Sequence, residues 1–474
     1  VEEVPVVAWP VLLRGARARG HPARWPALVT VLVGLFAVGF SITIVAVSLR
    51  RIASDLGSDP ATLTWIVTGP LLVLAVAMPT LGKLGDAYGH RRCYLLGFAG
   101  FVIGSIATAA AWNGPSLIAI RILAAVPAAA AGPSSMALLM QAFTEQERVK
   151  AMGWWSLVGA GAPVVGLVAG GPLVEAVGWR WIFLVQAPLA AGALAAGAVV
   201  LRETPRRPRE PLDVAGALAL AVACATLLAG LTAGGRRGWG DPLTVGLLVA
   251  SPVAGVAFAR LERRASHPLL PLHFFRARAF SASLVAQFAA NFAYMGGFIL
   301  TPLLVQERFG YSVAAASAAM VFRPASFSLT APVAGHVAAR TGERGAALVG
   351  AVLLAASMFG FVAAVGAGRV ALVYAGLVAS GVALGTASPA LLTAAAGPFA
   401  PDELGVVNGA QGMVAQIGTV AGIQGLASLQ AAVGGAAGFG WAYAVGGFVA
   451  LAAVAAGTVL PRTIAPPVRV ADAA

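Results

Sequence analysis

The sequence predicts an all-α integral membrane protein with about fourteen transmembrane helices, and three observations lead there. Of 474 residues, 59% are hydrophobic and 10% are charged, against about 25% charged in a soluble domain. About fourteen apolar runs are long enough to cross a bilayer. The Lys and Arg behind the net charge of +13 sit in short loops between those runs. A nucleic-acid-binding surface would gather them on one soluble face, so nucleic acid is excluded as a partner.

Residues 1–26 carry Arg14, Arg17, Arg19 and Arg24 after a short apolar stretch at 4–13. That stretch is too short to span, and it lacks the charge-then-apolar order of a signal peptide. It reads as a cytoplasmic tail suited to an anionic lipid surface. The apolar runs follow at 27–49, 61–81, 93–111, 115–140, 151–174, 180–201, 212–232, 243–260, 280–306, 312–338, 345–365, 370–396, 405–432 and 438–460, before a second tail at 461–474. Their Pro and Gly are tolerated where neighbouring helices or a water-filled cavity satisfy the freed backbone groups. An even number of spans puts both ends on one side. With the ends inside, inner segments hold roughly 22 Lys and Arg and outer loops roughly 7, so both termini are expected in the cytoplasm. Cys93 and Cys224 fall in apolar runs, and no disulfide framework or metal site is implied. The excess of Arg over Lys, with Lys83 and Lys150 the sole lysines, is a bias associated with GC-rich bacterial genomes.

One stretch between the second and third runs organises the rest. It reads Gly82-Lys83-Leu84-Gly85-Asp86-Ala87-Tyr88-Gly89-His90-Arg91-Arg92. Glycines suit so tight a link, where helix ends pass close together. The form G-x-x-x-D-x-x-G-x-[RK]-[RK] resembles the signature loop of the major facilitator superfamily of secondary transporters. The chain also echoes itself. Pro79, Gly82, Asp86, Gly89 and Arg91 recur at identical spacing as Pro332, Gly335, Ala339, Gly342 and Arg344, and Thr144–Glu147 has a counterpart in Pro401-Asp402-Glu403. The resemblance implies the major facilitator fold: a six-helix bundle at 27–201, a linker region with two extra helices at 202–279, and a second six-helix bundle at 280–460. In such a fold the substrate site lies between the halves.

The fifth run carries Ala162-Pro163-Val164-Val165-Gly166 and then Gly170-Gly171. This resembles the superfamily's antiporter motif, with Ala162 and Leu167 replacing two of its glycines. The stripe Ala162, Gly166, Gly170 would equally let another helix approach closely. Gly178-Trp179-Arg180-Trp181-Ile182-Phe183, followed by Gln186-Ala187-Pro188, is similar to the fourteen-helix drug:proton antiporter branch. Thr144-x-x-Glu147 has the form of a capping box. The first run departs from that branch. Ser41 stands where the resemblance places a proton-titrating acid, Ala46 where it places Asn and Arg50 where it places Pro. In the fourth run Arg121 is kept, while Ala124 and Ala125 replace the usual Gln and Gly.

Arg121 and Arg323 are the charges placed clearly inside spans, roughly 10 Å and roughly 16 Å from the outer ends of their runs at 1.5 Å per residue. A central arginine costs at least about 2.5 kcal/mol to insert, so each should face a cavity or a partner. Gln287, Asn291 and Tyr294 share one helical face, as do Asn408 and Gln411. These groups serve either substrate contact or interhelical hydrogen bonds. The branch implies efflux of small amphipathic drugs or natural products by alternating access, in a bacterial inner membrane. Asp86, with Gly82, Gly89, Arg91 and Arg92, would gate the cycle. With Ser41 unable to titrate, proton coupling would fall to rim acids such as Asp55 or Glu307. A metabolite importer, an uncoupled facilitator of the same fold and a non-transporting sensor are the alternatives. No enzyme motif stands out, and no cofactor beyond a proton gradient is expected. The expected partners are the lipid bilayer and an anionic or neutral small molecule, with the chain a monomer.

Overall fold

A computed structural model describes residues 24–461, apart from 144, 205–212, 267, 269–271 and 400–403. Both tails, the Thr144 cap and the Pro401-Asp402-Glu403 echo therefore lie outside the described residues. So do the side chains of Asn408, Pro332 and Ala339, and the surroundings of Gly82.

The chain is helical throughout, with no strand among the described residues. Helix α1 covers Arg24–Asp55. The short α2, Pro60–Leu63, leads into α3, Trp65–Tyr88. Helices α4 (His90–Ala109), α5 (Gly114–Ala142), α6 (Glu145–Val177) and α7 (Arg180–Val200) complete the first half. Then come α8 (Val214–Arg237) and α9 (Pro242–Glu262). The second half holds α10 (Arg278–Phe309), the short α11 (Val313–Met320), the long α12 (Phe322–Ala367), α13 (Val370–Ala396), α14 (Leu404–Val433) and α15 (Gly435–Val459). Among the described residues, eleven helical stretches are long and apolar enough to cross a membrane. The other three runs are helical as well, in α2–α3, in α6 and in α11 with the start of α12. Each of the fourteen apolar runs thus falls on helix. With fourteen crossings, an even number, Arg24 and Pro461 fall at one end of the bundle, here called proximal, and the opposite end is distal.

Helix α6 begins at Glu145, ahead of the apolar run at 151–174, because the polar stretch before it continues the helix. The loop expected between 338 and 345 is also absent. Helix α12 runs on through this stretch and departs from helical angles only at Gly342, where φ is 73° and ψ is 166°. Its repeat partner Gly89 has φ 105° and ψ 129° and separates α3 from α4. A side chain rarely tolerates such angles, so both corners require glycine. The repeated glycine of the sequence is a repeated backbone corner.

The helices of the two halves pair alike. Helix α1 packs on α6 and α7, and α4 on α5 and α7; α10 packs on α14 and α15, and α12 on α13 and α15. Small residues permit the tightest of these crossings. A Cβ on Gly166 would meet the Phe40 carbonyl, and one on Gly170 the Ile44 side chain. In the second half a Cβ on Gly418 would lie 2.5 Å from the Phe288 oxygen, and one on Gly422 would meet the Phe292 oxygen. The stripe resembling an antiporter motif is therefore a helix crossing with a counterpart in the other half. Thr43 adds a hydrogen bond across it, its Oγ1 donating to the Pro163 carbonyl at 3.0 Å.

The halves meet through α3 with α14 and α6 with α11. The four hydrogen bonds described between them all lie toward the distal end. Thr64 and Thr68 donate to Gln424 Oε1 at 2.7 and 3.3 Å. Gln306 donates to the Val47 carbonyl at 3.1 Å, and the Ala314 amide to Glu175 Oε1 at 2.8 Å. A side chain forced into a backbone crossing costs about 1–3 kcal/mol. Gly422→Ala is expected to destabilise by that amount, read as a lower thermal midpoint in detergent. Gly360→Ala, where a Cβ meets nothing within 4 Å, should leave the midpoint unchanged or raised.

Candidate functional site

In the first half, local sequence sets the position of Arg121. Asn113 caps α5 by accepting from the Ser116 amide at 2.8 Å, with Pro115 in the first turn. Two turns on, Arg121 points at α3, where Pro70 has no amide hydrogen to give the Ile66 carbonyl four residues back. Arg121 Nε donates to that Ile66 oxygen at 3.2 Å. Its guanidinium lies 5.2 Å from the centroid of the Phe183 ring. The residue is 9% exposed. A proline-freed acceptor and an aromatic face thus offset part of the cost of a charge in the membrane.

Beside Arg121 is a cavity of ≈ 50 Å³ that Ser41, Val67, Pro70 and Leu71 also line. A drug-sized ligand needs about 300 Å³ or more, so this space suits water and not a substrate. Ser41 is buried and accepts from Gln186 Nε2 at 2.9 Å, and the same nitrogen donates to the Ala37 carbonyl at 2.9 Å. The position where an acid was expected is therefore tied to α7 by a neutral pair.

In the second half, Arg323 is 0% exposed. Its guanidinium sits 3.9 Å from the Tyr294 ring centroid and 5.9 Å from that of Phe298. None of its three side-chain nitrogens has a hydrogen-bond partner among the described residues. Tyr443 stacks on Phe361, ring centroids 4.8 Å apart, and shares a 2.9 Å hydrogen bond with Thr301. A desolvated cation on an aromatic face gains about 2 kcal/mol, comparable to the lower estimates of its insertion cost. Gln287, Asn291 and Tyr294 do share a face of α10. Gln287 and Tyr294 are buried, Asn291 Nδ2 donates to the Gln287 carbonyl at 2.8 Å, and Gln287 Oε1 is left without a partner among the described residues. Gln411 is used between helices, its Nε2 donating to the Leu391 carbonyl at 3.0 Å.

The proximal loop is built around a different acid from the one its motif highlights. Asp86 Oδ1 meets His90 Nε2 at 3.2 Å, and its side chain is 44% exposed. The carboxylate on the first turn of α4 belongs to Glu203. It accepts from the Arg91 amide at 2.9 Å and the Thr204 amide at 3.2 Å, and lies 3.8 Å from Arg92 Nε. Thr204 Oγ1 accepts from the His90 amide at 3.1 Å. Arg91 reaches the other way, donating to the Ala198 carbonyl near the C-terminus of α7 at 2.7 Å. Acid at a helix start and cation at a helix end both suit the helix dipole. A Cβ on Gly89 would also displace the Glu203 carboxylate from the start of α4. At the distal rim, Asp55 pairs with Arg51 at 3.4 Å, and Glu307 is exposed.

A family model described as Major Facilitator Superfamily matches residues 29–423. The chain belongs to the major facilitator superfamily. Among curated members it is 36% identical to the tetracenomycin C resistance and export protein of Streptomyces glaucescens, over 72% of this chain and 63% of that one. It is 34% identical to a puromycin resistance protein of Streptomyces alboniger, over 71% of this chain and 67% of the relative. The chain thus spans about three-fifths to two-thirds of the length of these relatives. A peptide transporter solved with sulfate has the same superfamily fold, at TM-score 0.70 and 14% identity, covering 93% of this chain and 96% of that one. A human organic anion transporter gives TM-score 0.59 at 17% identity, covering 92% and 100%.

Within this superfamily frame, three groups escaped sequence reasoning. Gln186 is the sole uncharged polar side chain of the run at 180–201, which is the signal that could have raised it. Glu203 lies two residues beyond that run and gave no local cue. The third group joins Thr64 and Thr68 of the run at 61–81 with Thr232 and Gln424 of two other runs, a pairing of distant runs that no local pattern marks. Glu203→Ala is expected to free the Arg91 and Thr204 amides. Hydrogen exchange should quicken at the start of α4, with a loss of about 0.5–1 kcal/mol of local stability, while Asp86→Ala should leave those amides protected.

Proposed function

We propose that this chain is a secondary active transporter that exports small amphipathic drugs or natural products by alternating access. It works as a multi-pass protein of a bacterial inner membrane with both termini in the cytoplasm, so the distal end faces outward. The names of the curated relatives support export and resistance, and the cation bias of the proximal loops supports the orientation. Residues 27–201 and 280–460 are the two moving bundles, and 202–279 links them. The loop with Gly82, Asp86, Gly89, Arg91 and Arg92 gates the proximal side.

The observation that carries the substrate class is the pair of buried arginines. Arg121 and Arg323 lie inside the spans, and no carboxylate lies at comparable depth among the described residues. Such a field favours anionic or neutral compounds over lipophilic cations. The proposed contacts are Tyr294, which lies against Arg323, with Gln287 and Asn291 on the same face of α10, Gln411 and Asn408 of α14, and Ser41, whose small cavity beside Arg121 would have to widen for a substrate. The lipid bilayer is the other partner, the chain acts as a monomer, and no bound cofactor is required.

The proton gradient is the proposed energy source, through a rim acid such as Asp55 or Glu307 or through a deprotonating substrate. Ser41 favours a second reading, uncoupled facilitated diffusion, because a hydroxyl does not titrate at physiological pH. Flux in proteoliposomes with an imposed pH gradient separates the two. Coupled export should stop when the gradient collapses, whereas facilitation should continue down the substrate gradient. Amphipathic carboxylates should be carried, and Arg121→Gln or Arg323→Gln should cut their flux about tenfold or more, the effect of losing about 1.4 kcal/mol of binding. Tight binding of ethidium-like cations with indifference to carboxylates would overturn the substrate class.

A further inference from the structure

Helix α8 belongs to the linker region, yet it does not lie apart from the two halves. Near its distal end Thr232 is 9% exposed and sits between α3 and α14. Its hydroxyl accepts from Gln424 Nε2 at 2.6 Å and from Trp65 Nε1 at 3.0 Å, and donates to the Leu228 carbonyl at 2.8 Å. That is the full capacity of a hydroxyl, two acceptor sites and one donor. The other end of the same amide, Gln424 Oε1, accepts from Thr64 and Thr68 of the first half. Gln424, Thr64 and Thr68 are each 0% exposed. One buried amide thus joins three parts of the chain: the first half, the second half and the linker.

The local backbone is shaped for this. Thr64 joins α2 to α3 with right-handed helical angles, φ −56° and ψ −23°, so Thr64 and Thr68 lie one turn apart on one face. Helix α8 runs close along α14. A Cβ on Gly235 would lie 2.6 Å from the Ser428 carbonyl, and one on Gly425 would touch Leu231 at 3.6 Å. Helix α9 differs, with Thr244 and Glu262 its buried residues.

We propose that α8 is a working part of the distal gate, and that Thr232 and Gln424 form its clasp. The proposal rests on the alternating-access reading above. While the distal end is closed, α8 holds the amide in place for Thr64 and Thr68. Opening that end must part α3 from α14 and break the network, and entering water then satisfies the released groups. Removing the Thr232 hydroxyl takes an acceptor from the buried Gln424 amide and from the half-buried Trp65 Nε1, in the closed state alone. The equilibrium therefore shifts toward the open state.

The test is a distance measurement by double electron–electron resonance in liposomes. Spin labels are carried on Trp112→Cys and Arg369→Cys, two exposed distal positions in opposite halves, in a background with Cys93→Ala and Cys224→Ala. The parent is expected to show mainly the short distance. Thr232→Val, close to isosteric, should raise the long-to-short ratio about tenfold. Thr232→Ala and Gln424→Leu should move it the same way, and Thr232→Ser should match the parent. An unchanged ratio in Thr232→Val and Thr232→Ala overturns the proposal, even if Gln424→Leu opens the gate, because α8 is then a bystander. A shifted ratio in a chain that carries no substrate upholds the clasp and removes the export reading, so the two fail separately.

Discussion

The closest approach of two helix backbones limits this structure more than any other quantity. In lipid no hydrophobic force draws one apolar helix to another, so association depends on contact area and on the few polar bonds available. Residues without bulk at Gly166, Gly170, Gly418 and Gly422 let α1 meet α6 and α10 meet α14 at backbone range. Those crossings place the polar side chains of the inner helices. Thr43 reaches Pro163 because α1 and α6 already touch there. The arrangement of the polar interior follows from the glycines.

The interior handles its polar atoms in two contrasting ways. Arg121 is given an acceptor by a defect in a neighbouring helix, since Pro70 leaves the Ile66 carbonyl without its amide. Arg323 receives aromatic faces and no acceptor among the described residues. Gln186 and Gln424 each spread one amide over several partners. Gln287 keeps a carbonyl oxygen without one among the described residues. The first half is thus better satisfied around its cation than the second.

Much of the architecture was legible in the chain itself. Apolar runs are long and distinct because a bilayer leaves no other option, and each falls on helix. The echo between Gly89 and Gly342 was legible for a harder reason: a positive φ demands glycine, so the corner writes itself into the sequence. The site was legible only by residue type. Burial of Arg121 and Arg323 followed from their place in apolar runs, and the shared face of Gln287, Asn291 and Tyr294 followed from helical period. Partners did not follow. Nothing local tells that Glu203 crosses to α4, or that Gln424 finds Thr64 at a separation of 360 residues. Such pairings depend on how whole helices lie, which periodicity does not encode.

The corners at Gly89 and Gly342 have a mechanical consequence. A single residue separates the second span from the third, and likewise the tenth from the eleventh. With no slack at the elbow, neither arm can slide past its mate. The joined ends stay together while a change of angle between the arms is taken up at the glycine, so each half carries a pivot at the corresponding place in its repeat.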